Sequence, residues 1–215
     1  MKEIISPLFV GLTDEEYKDL QSCACMSIRK FEKSTSIFCI GNVVHKLGVV
    51  LDGAVKVENV DFWGNKSILT HISEGQIFAE SYAVTGMPLQ VSAIAAEMCT
   101  IQFMDVIDLL GGRYVDASWY KKVIQNLLRI SANKNLMLSS HIFQTSFKRA
   151  RPRIESYLTS VSLEVGSREF DIPFNRQQLA DYLNLDRSAL SKELARMHSE
   201  KLIDFHKNHF RLRTQ

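Results

Sequence analysis

Two short amphipathic helices are predicted between Arg176 and Met197, in the sequence RQQLADYLNLDRSALSKELARM, with only three or four residues between them. Asn175 can cap the first helix, and Gln178 three residues later completes an approximate capping box. Residues 184–185 form the turn, and Asp186 can cap the second helix. Helices joined so closely bury their apolar faces against each other, which is the arrangement of a helix-turn-helix unit.

The second of these helices turns a polar arc away from the shared apolar core. The residues predicted to face inward on the two helices are Leu179, Ala180, Leu183, Leu190, Leu194 and Met197. At about 100° per residue, the residues of the outward side, here called the outer arc, are Arg187, Ser188, Ser191, Lys192 and Ala195. A duplex major groove admits one α-helix, and arginine, lysine and serine can bond base edges or phosphates there. The outer arc is therefore predicted to contact DNA.

A hairpin is predicted directly after the second helix. The sequence KLIDFHKNHFRL alternates apolar and polar residues around Lys207-Asn208, which predicts a two-stranded wing. His206, Lys207 and His209 of this wing could touch backbone phosphate. We therefore predict double-stranded DNA as a partner. The predicted DNA-binding residues are Arg176, Gln177, Arg187, Ser188, Ser191, Lys192 and Lys207.

The charge of the chain is distributed unevenly. Residues 145–215 hold 13 Lys/Arg against 9 Asp/Glu, whereas residues 1–144 hold 13 against 15. The overall charge of +2 thus conceals a basic surplus in the last third. Such an asymmetry favours a polyanionic partner for this part of the chain.

Strand-like runs dominate the stretch from about Ser27 to Phe103, with glycine or asparagine between them. The segment DFWGNK predicts a hairpin turn in which Gly64 or Asn65 takes a positive φ. Many short strands at this spacing predict a barrel or a double-sheet roll. Before them, residues 1 to about 25 are predicted to be helical, with Thr13 as a cap.

A long helix is predicted from Ser118 to about Gln144, because the apolar pattern is helical and contains neither Gly nor Pro. Its apolar stripe is too wide for a single contact, so one side can pack on the roll and the other needs a second surface. A twofold partner helix is the simplest candidate, and a long core helix in a monomer is the alternative. A further helix begins with Pro152 in its first turn and runs to about Val165, after a boundary near residues 143–150.

This order of β-roll, long helix and winged helix-turn-helix resembles the Crp/Fnr family of bacterial transcription regulators. The glycines of the roll fit that family at Gly41, Gly53, Gly64 and Gly75, and the stretch NRQQLADYLNLDRSALSKELARM fits best. The resemblance covers the chain from about residue 8 to residue 212. It implies a homodimer joined by the long helix, an effector site in the roll and allosteric control of the DNA-reading helices.

The resemblance implies an α+β fold in three parts. Residues 1–117 would form a cyclic-nucleotide-binding-like β-roll that binds an effector, and residues 118–145 a dimerisation helix and hinge. Residues 146–215 would form the winged helix-turn-helix that binds DNA. RNA polymerase is a further partner that membership of this family would suggest.

The recognition helix departs from the family at one position. Members often carry a Glu near its start and an Arg or Lys four residues later, which correspond to Ser188 and Lys192 here. Lys192 keeps the cation, but Ser188 lacks a carboxylate that could accept from cytosine N4. The operator sequences best known for the family are therefore not expected, while Arg187 remains an expected base or phosphate contact.

The effector region also departs from the cyclic-nucleotide-binding members, whose pocket has Gly-Glu and, about ten residues later, Arg-Ser. In FAESYAVTGMPLQVSA, Glu80 matches the Glu, but Ala79 replaces the Gly, and Gln90-Val91 replaces Arg-Ser. A buried cyclic phosphate would lack its charge partner, which costs several kcal/mol. We expect a small effector other than cyclic AMP, of unknown identity, although Glu80 is equally well explained as a structural acid. The predicted effector-binding residues are Glu80, Ser81, Gln90, Val91 and Ser92.

Cysteine and histidine leave a redox or metal-sensing regulator as an alternative. Such a regulator would use the four thiols of Cys23, Cys25, Cys39 and Cys99. Their spacing departs from the pattern of the iron–sulfur members of the family, and reduced thiols are the simpler interpretation. His45 and His71 could ligate haem, but a lone histidine is more often a surface or hydrogen-bonded residue.

Other classes of protein are disfavoured by the sequence. No apolar run approaches the roughly 20 residues needed to cross a bilayer, and the start does not resemble a signal peptide, so we expect a cytoplasmic protein without a membrane partner. No phosphate loop, HExxH or GxSxG motif indicates an enzyme. A regulatory module that binds a ligand and acts through a protein partner is the remaining alternative, and the cations Arg187 and Lys192 argue against it.

Overall fold

The computed structural model describes residues 6–60 and 66–213, without the side chains of Val60, Lys66 and Ile68. Within these ranges the chain forms two compact units, and the boundary between them in the sequence falls after Asn133. The hairpin turn predicted at Gly64 or Asn65 lies outside the described residues.

The first unit opens with a 3-10 turn, Pro7–Phe9, and helix α1, Asp14–Ser22. The Thr13 hydroxyl accepts from the amide of Glu16 at 3.2 Å, and the Glu16 carboxylate accepts from the amide of Thr13 at 2.8 Å. This reciprocal capping box confirms Thr13 as the cap. Among the described residues this helix is shorter than predicted, because the capping box sets its start at Asp14 and a strand begins soon after it ends. Residues 1–5 of the predicted helix lie outside the described residues.

Eight strands of the first unit lie among the described residues, and they are β1 (Met26–Phe31), β2 (Ser36–Phe38), β3 (Lys46–Asp52), β4 (Val55–Val60), β5 (Lys66–Ile72), β6 (Ile77–Phe78), β7 (Ser92–Ala95) and β8 (Cys99–Asp105). They pair antiparallel in two four-stranded sheets, of order β1-β8-β3-β6 and β2-β7-β4-β5. Side chains of the two sheets meet in a buried cluster that includes Val50, Val55, Ala95 and Phe103. The predicted double-sheet roll is confirmed.

Three helices accompany the roll: α2 (Glu80–Thr85), α3 (Val106–Leu110) and the long α4 (Tyr120–Ser146). The first turns of α4 pack on the roll through Val123 and Leu127, in a core that includes the fully buried Trp119. Asn126 donates to the carbonyl oxygens of residues 8 and 10, at 3.1 and 2.8 Å. The observed helix begins two residues after the predicted Ser118 and ends two residues after the predicted Gln144.

The second unit contains the last turns of α4 followed by six elements: α5 (Ala150–Val165), β9 (Glu169–Asp171), α6 (Arg176–Tyr182), α7 (Arg187–Ser199), β10 (Ile203–His206) and β11 (His209–Leu212). Pro152 lies in the first turn of α5, as predicted. The fully buried residues of its core include Ile154, Leu179, Leu190, Leu194 and Phe210. The helices and hairpin thus close around one apolar centre.

The wing has one strand more than the sequence predicts. β9 pairs antiparallel with β11, so that Phe170 lies opposite Phe210 and the sheet order is β10-β11-β9. Both phenylalanines are buried. A strand of three residues is too short for its alternation to be recognised in sequence, which is why only two strands were predicted.

Among the described residues, no helix combines the length and the apolar character that crossing a bilayer requires.

Candidate nucleic-acid interface and effector region

The start of α6 is fixed by the capping box that the sequence predicts. The Asn175 side-chain oxygen accepts from the amide of Gln178 at 3.0 Å, and the Gln178 side-chain oxygen accepts from the amide of Asn175 at 2.8 Å. Asn184 takes a φ of +52° in the turn, a conformation that asparagine tolerates better than most residues. Asp186 occupies the N-cap position of α7, but its side chain makes no capping hydrogen bond, so the predicted position is right and the predicted bond is wrong.

The two sides of α7 differ as the sequence predicts. Leu190, Leu194 and Met197 are buried against the rest of the second unit. All five residues of the outer arc are exposed, namely Arg187, Ser188, Ser191, Lys192 and Ala195. The buried side fixes the helix in place and leaves two cations and two hydroxyls available on the other side.

The far end of α7 is held by Arg151 of α5. Its guanidinium donates two hydrogen bonds to the Glu200 carboxylate, at 2.6 and 2.9 Å, and one to Glu193 at 2.6 Å. These bonds hold the pKa of Glu200 below its ordinary value of 4.5. The pairing was missed in the sequence because the partners lie 42 and 49 residues apart, and no local spacing rule connects them.

Arg176 and Lys207 lie together at the edge between α6 and the wing. The Arg176 guanidinium lies over the ring of Phe205, 5.0 Å from its centroid, and donates to the carbonyl oxygen of Lys207 at 3.2 Å. Burial lowers the pKa of the Arg176 guanidinium below its ordinary value. Both cations line a cleft of about 480 Å³, together with Pro173, Phe174, Asn175, Gln178 and Asn208. Arg176 therefore joins α6 to the wing as well as facing this cleft.

The remaining predicted contact of α6, Gln177, is exposed and donates to the Asp181 carboxylate at 2.8 Å. His206 is exposed at the end of β10. His209 lies instead between two carboxylates, 3.0 Å from Asp171 and 3.1 Å from Glu169. A histidine paired in this way within the sheet is a poor phosphate contact, which the sequence did not reveal because β9 was not predicted.

The stability of the wing is predicted to depend on pH, because His209 is hydrogen-bonded to Asp171 and Glu169. The hydrogen bond to Glu169, followed by that to Asp171, raises the pKa of His209 above 6.5. The stabilisation of the folded wing by protonated His209 is therefore fully present below about pH 6.5, and it is lost as the pH rises through the raised pKa of His209. We expect His209→Gln to lower the melting temperature relative to the unchanged chain at about pH 5.5 and to have little effect at about pH 8.5.

Glu169→Gln is expected to reduce the same pH-dependent difference, because the bond to Glu169 is the main cause of the shift. Thermal unfolding of the three proteins across this range is the measurement. An equal loss from His209→Gln at both pH values would contradict this explanation.

The predicted effector residues occupy two neighbouring parts of the sequence and differ in burial. Glu80 begins α2 and is buried, whereas Ser81 and Gln90 are exposed. Val91 and Ser92 are half-buried, and the Ser92 hydroxyl accepts from the amide of residue 40 at 3.1 Å. Gln90, Val91 and Ser92 therefore lie where β7 begins, beside the turn that follows β2.

Sheet pairing adds two charged residues to this region. In the register of β4 with β7, Glu58 lies directly opposite Ser92, so the two side chains share one face of the sheet. Glu58 is 3% exposed and forms an ion pair of 2.9 Å with Lys56. The sequence showed no lysine or arginine between Lys66 and Arg113, and the fold brings Lys56 near from an earlier strand. Its charge is already matched by Glu58.

Ala79 adopts a backbone conformation that usually requires glycine. Its φ is +61°, in the left-handed region, at the position where the cyclic-nucleotide members of the family have Gly. We expect Ala79→Gly to raise the free energy of unfolding by about 0.5–1 kcal/mol, because the Cβ strain is removed. Ala83→Gly, inside α2, is expected to lower it by about 1 kcal/mol or more. Urea unfolding measures both, and a destabilised Ala79→Gly would show that the methyl group packs better than it strains.

The cysteines do not form a common cluster in the part of the chain that the structure describes. Cys25 and Cys99 are buried, Cys23 is partly buried and Cys39 is exposed. Burial raises the pKa of Cys25 to about 11 and also raises that of Cys23 and Cys99, which favours the thiol over the metal-binding thiolate. Residues 6–60 and 66–213 hold no group of three or more His, Cys, Asp or Glu placed to bind a metal.

Comparison with known proteins agrees with this architecture. The family model for the cyclic nucleotide-binding domain matches residues 28–110, and that for the Crp-like helix-turn-helix domain matches residues 152–214. The probable transcriptional regulator flp of Lacticaseibacillus casei is 26% identical over 203 residues, which cover 93% of this chain and 88% of flp. Electron transport regulator A of Shewanella oneidensis is 22% identical over 187 residues, which cover 82% of this chain and 70% of that protein.

A solved structure shares the fold over nearly the whole length. The Catabolite Activator Protein of Thermus thermophilus is 24% identical, with a TM-score of 0.57 over 97% of this chain and 94% of its own. The chain therefore belongs to the Crp/Fnr family of transcription regulators, with an effector-binding domain followed by a DNA-binding helix-turn-helix.

Proposed function

We propose that this chain is a homodimeric, sequence-specific DNA-binding regulator whose output is set by a small effector in the β-roll. The observation that carries the proposal is the exposed outer arc on a helix whose opposite side is buried. Such a helix can enter a major groove without disturbing its own core. As a regulator of DNA it would work in the cytoplasm.

The DNA contacts divide into two sets. Arg187, Ser188, Ser191 and Lys192 are proposed to meet base edges and flanking phosphates in the groove. Arg176, Gln177 and Lys207 are proposed to contact the phosphate backbone, and the shared cleft of Arg176 and Lys207 supports this. The wing would then fix the register in which α7 enters the groove.

The dimer is proposed to form along α4. Members of the family act as dimers, and α4 exposes large apolar residues, of which Leu128 is 69% exposed and Leu138 is 58% exposed. Spacings of four and three alternate along a stripe made of Ile124, Leu128, Ser131, Asn135, Leu138 and Ile142. This alternation is the spacing expected of a seam in a two-stranded coiled coil, and the stripe is proposed as that seam. Parallel pairing along this seam would put the two DNA-binding domains at the same end of the dimer.

The three-part division of the chain is proposed at the predicted bounds. Residues 1–117 would bind the effector, residues 118–145 would dimerise and act as the hinge, and residues 146–215 would bind DNA. RNA polymerase is proposed as a further partner on the strength of the family alone.

The effector is proposed to bind beside Glu80, Ser81, Gln90, Val91 and Ser92 and to differ from cyclic AMP. The exposed Gln90 and the half-buried Val91 offer no positive charge to a phosphate, and the nearby Lys56 is paired with Glu58. Effector binding would shift the population of hinge conformations around residues 143–150, so that the two copies of α7 lie about 34 Å apart. Native mass spectrometry of the purified chain would identify a retained ligand.

Selection of bound duplexes from a random pool tests the proposed function. At physiological salt we expect enrichment of an inverted repeat, and binding that weakens steeply as salt rises because phosphate contacts release counterions. Recovery of a pool with no preferred sequence would contradict the proposed function. It would favour a module that acts through a protein partner.

A further inference from the structure

Gln144 lies near the end of α4 and joins three helices. Its side chain is 3% exposed, and its amide nitrogen donates to the hydroxyl of Ser160 on α5 at 2.9 Å. The same nitrogen is 3.1 Å from the Ser140 hydroxyl, one turn earlier on α4. Its amide oxygen accepts from the hydroxyl of Tyr182 on α6 at 3.2 Å. A buried amide with partners on both sides is costly to disturb.

Tyr182 connects this amide to the turn of the helix-turn-helix. It is the last residue of α6, and its ring packs on His141 at a centroid distance of 4.6 Å and on Phe174 at 4.9 Å. Burial raises the pKa of Tyr182 above 10.0, so the phenol stays protonated and remains a donor. The end of α4 is therefore bonded to the residue that directly precedes the turn into α7.

Arg153 of α5 makes a second connection to the same turn. Its Nε donates to the carbonyl oxygen of Phe147, in the connection between α4 and α5, at 2.6 Å. Its Nη1 donates to the carbonyl oxygens of Leu183 and Asn184 in the turn, at 2.9 and 2.8 Å. A planar guanidinium can span three carbonyls in this way, whereas a lysine presents a single nitrogen.

We propose that Gln144 and Arg153 form a latch that fixes the turn between α6 and α7 to the end of α4 and to the connection that follows it. Both are positioning residues, because they act on α7 through Tyr182 and through the backbone of the turn. The latch adds a mechanism to the proposed function. Its effect on DNA affinity rests on that function, because it requires that α7 binds DNA. It gives a physical route by which a change at the hinge moves the recognition helix.

Hydrogen exchange of the full-length protein without DNA tests the latch directly. Gln144→Met and Arg153→Met should each speed amide exchange in residues 183–191 about fivefold to tenfold. In the first variant the Tyr182 hydroxyl loses its acceptor, and in the second the carbonyls of Leu183 and Asn184 lose the guanidinium donor. Tyr182→Phe removes one hydroxyl and should produce a smaller increase in the same peptide. The matched controls are Gln125→Met on α4 and Arg149→Met before α5, both exposed positions, and they should leave this exchange unchanged.

Binding to the selected duplex supplies a second measurement. Gln144→Met should weaken it about fivefold to tenfold while the slope of affinity against salt stays at the unchanged protein's value, since no phosphate contact is removed. Arg153→Lys should not restore normal exchange, because the charge is kept but the span is lost.

Two outcomes would overturn the latch. One is normal exchange in residues 183–191 in both methionine variants, and the other is exchange that rises equally across the whole second unit, which would indicate only a general loss of stability. If the unchanged protein binds no duplex, the proposed function is wrong, and exchange alone still decides whether the latch exists.

Discussion

Arg187→Ala is expected to weaken binding to the selected duplex by about 1–3 kcal/mol, roughly 5- to 150-fold, and to relax the preference at one base pair of each half-site. Arg187 opens α7, where the first residues of a recognition helix meet base edges, and its side chain is exposed. Loss of a bidentate arginine leaves a base edge without its partner. Fluorescence anisotropy on the selected duplex and on single-base variants measures both effects.

Lys192→Ala separates base reading from phosphate binding. If Lys192 contacts phosphate, affinity should fall about equally on all duplexes and the salt slope should drop by about one. Arg29→Ala, which removes an exposed cation from β1 of the roll, is the control and should change neither quantity.

Unaltered affinity and base preference in Arg187→Ala would remove Arg187 from the proposed interface.

Leu138→Asp is expected to separate the dimer and to lower affinity for a duplex with two half-sites by at least about 100-fold. Leu138 lies in the proposed seam of α4 and is 58% exposed. In a parallel dimer two aspartates would face each other in an apolar contact, where desolvation and repulsion both oppose pairing. A monomer loses the second half-site and with it the high effective concentration of the second recognition helix. Analytical ultracentrifugation reports the oligomeric state.

Asn133→Asp provides the matched control for this change. It adds the same charge to the same helix, but about half a turn away from the seam, at an exposed position. We expect it to leave the dimer and the affinity intact. A Leu138→Asp variant that stays dimeric would show that the proposed seam is wrong.

The parts of the fold that could be read from sequence are those with local signals. The capping boxes at Thr13 and Asn175 involve residues only three apart, and both exist in the structure. The apolar spacing of α4 gave its bounds to within two residues. The outer arc follows from helical geometry alone, because burial of Leu190 and Leu194 leaves the opposite side in solvent.

The contacts that could not be predicted join residues far apart in the chain. Arg153 meets carbonyls 30 and 31 residues away, and Gln144 meets a tyrosine 38 residues away. No periodicity encodes such pairings, since they exist only after the helices pack. The ion pair of Lys56 and Glu58 joins residues that are close in sequence, but its position beside Ser92 depends on the register of β4 with β7.

Two paired chains are proposed to present two recognition helices to successive major grooves of one duplex. This arrangement is tested by the stoichiometry and affinity of the full-length protein on the selected inverted repeat, with the half-sites at their selected spacing or moved apart by about half a helical turn. We expect two chains per duplex and an affinity that falls by at least about 100-fold when the half-sites move to opposite faces of the helix. One chain per duplex, or equal affinity at both spacings, would contradict it.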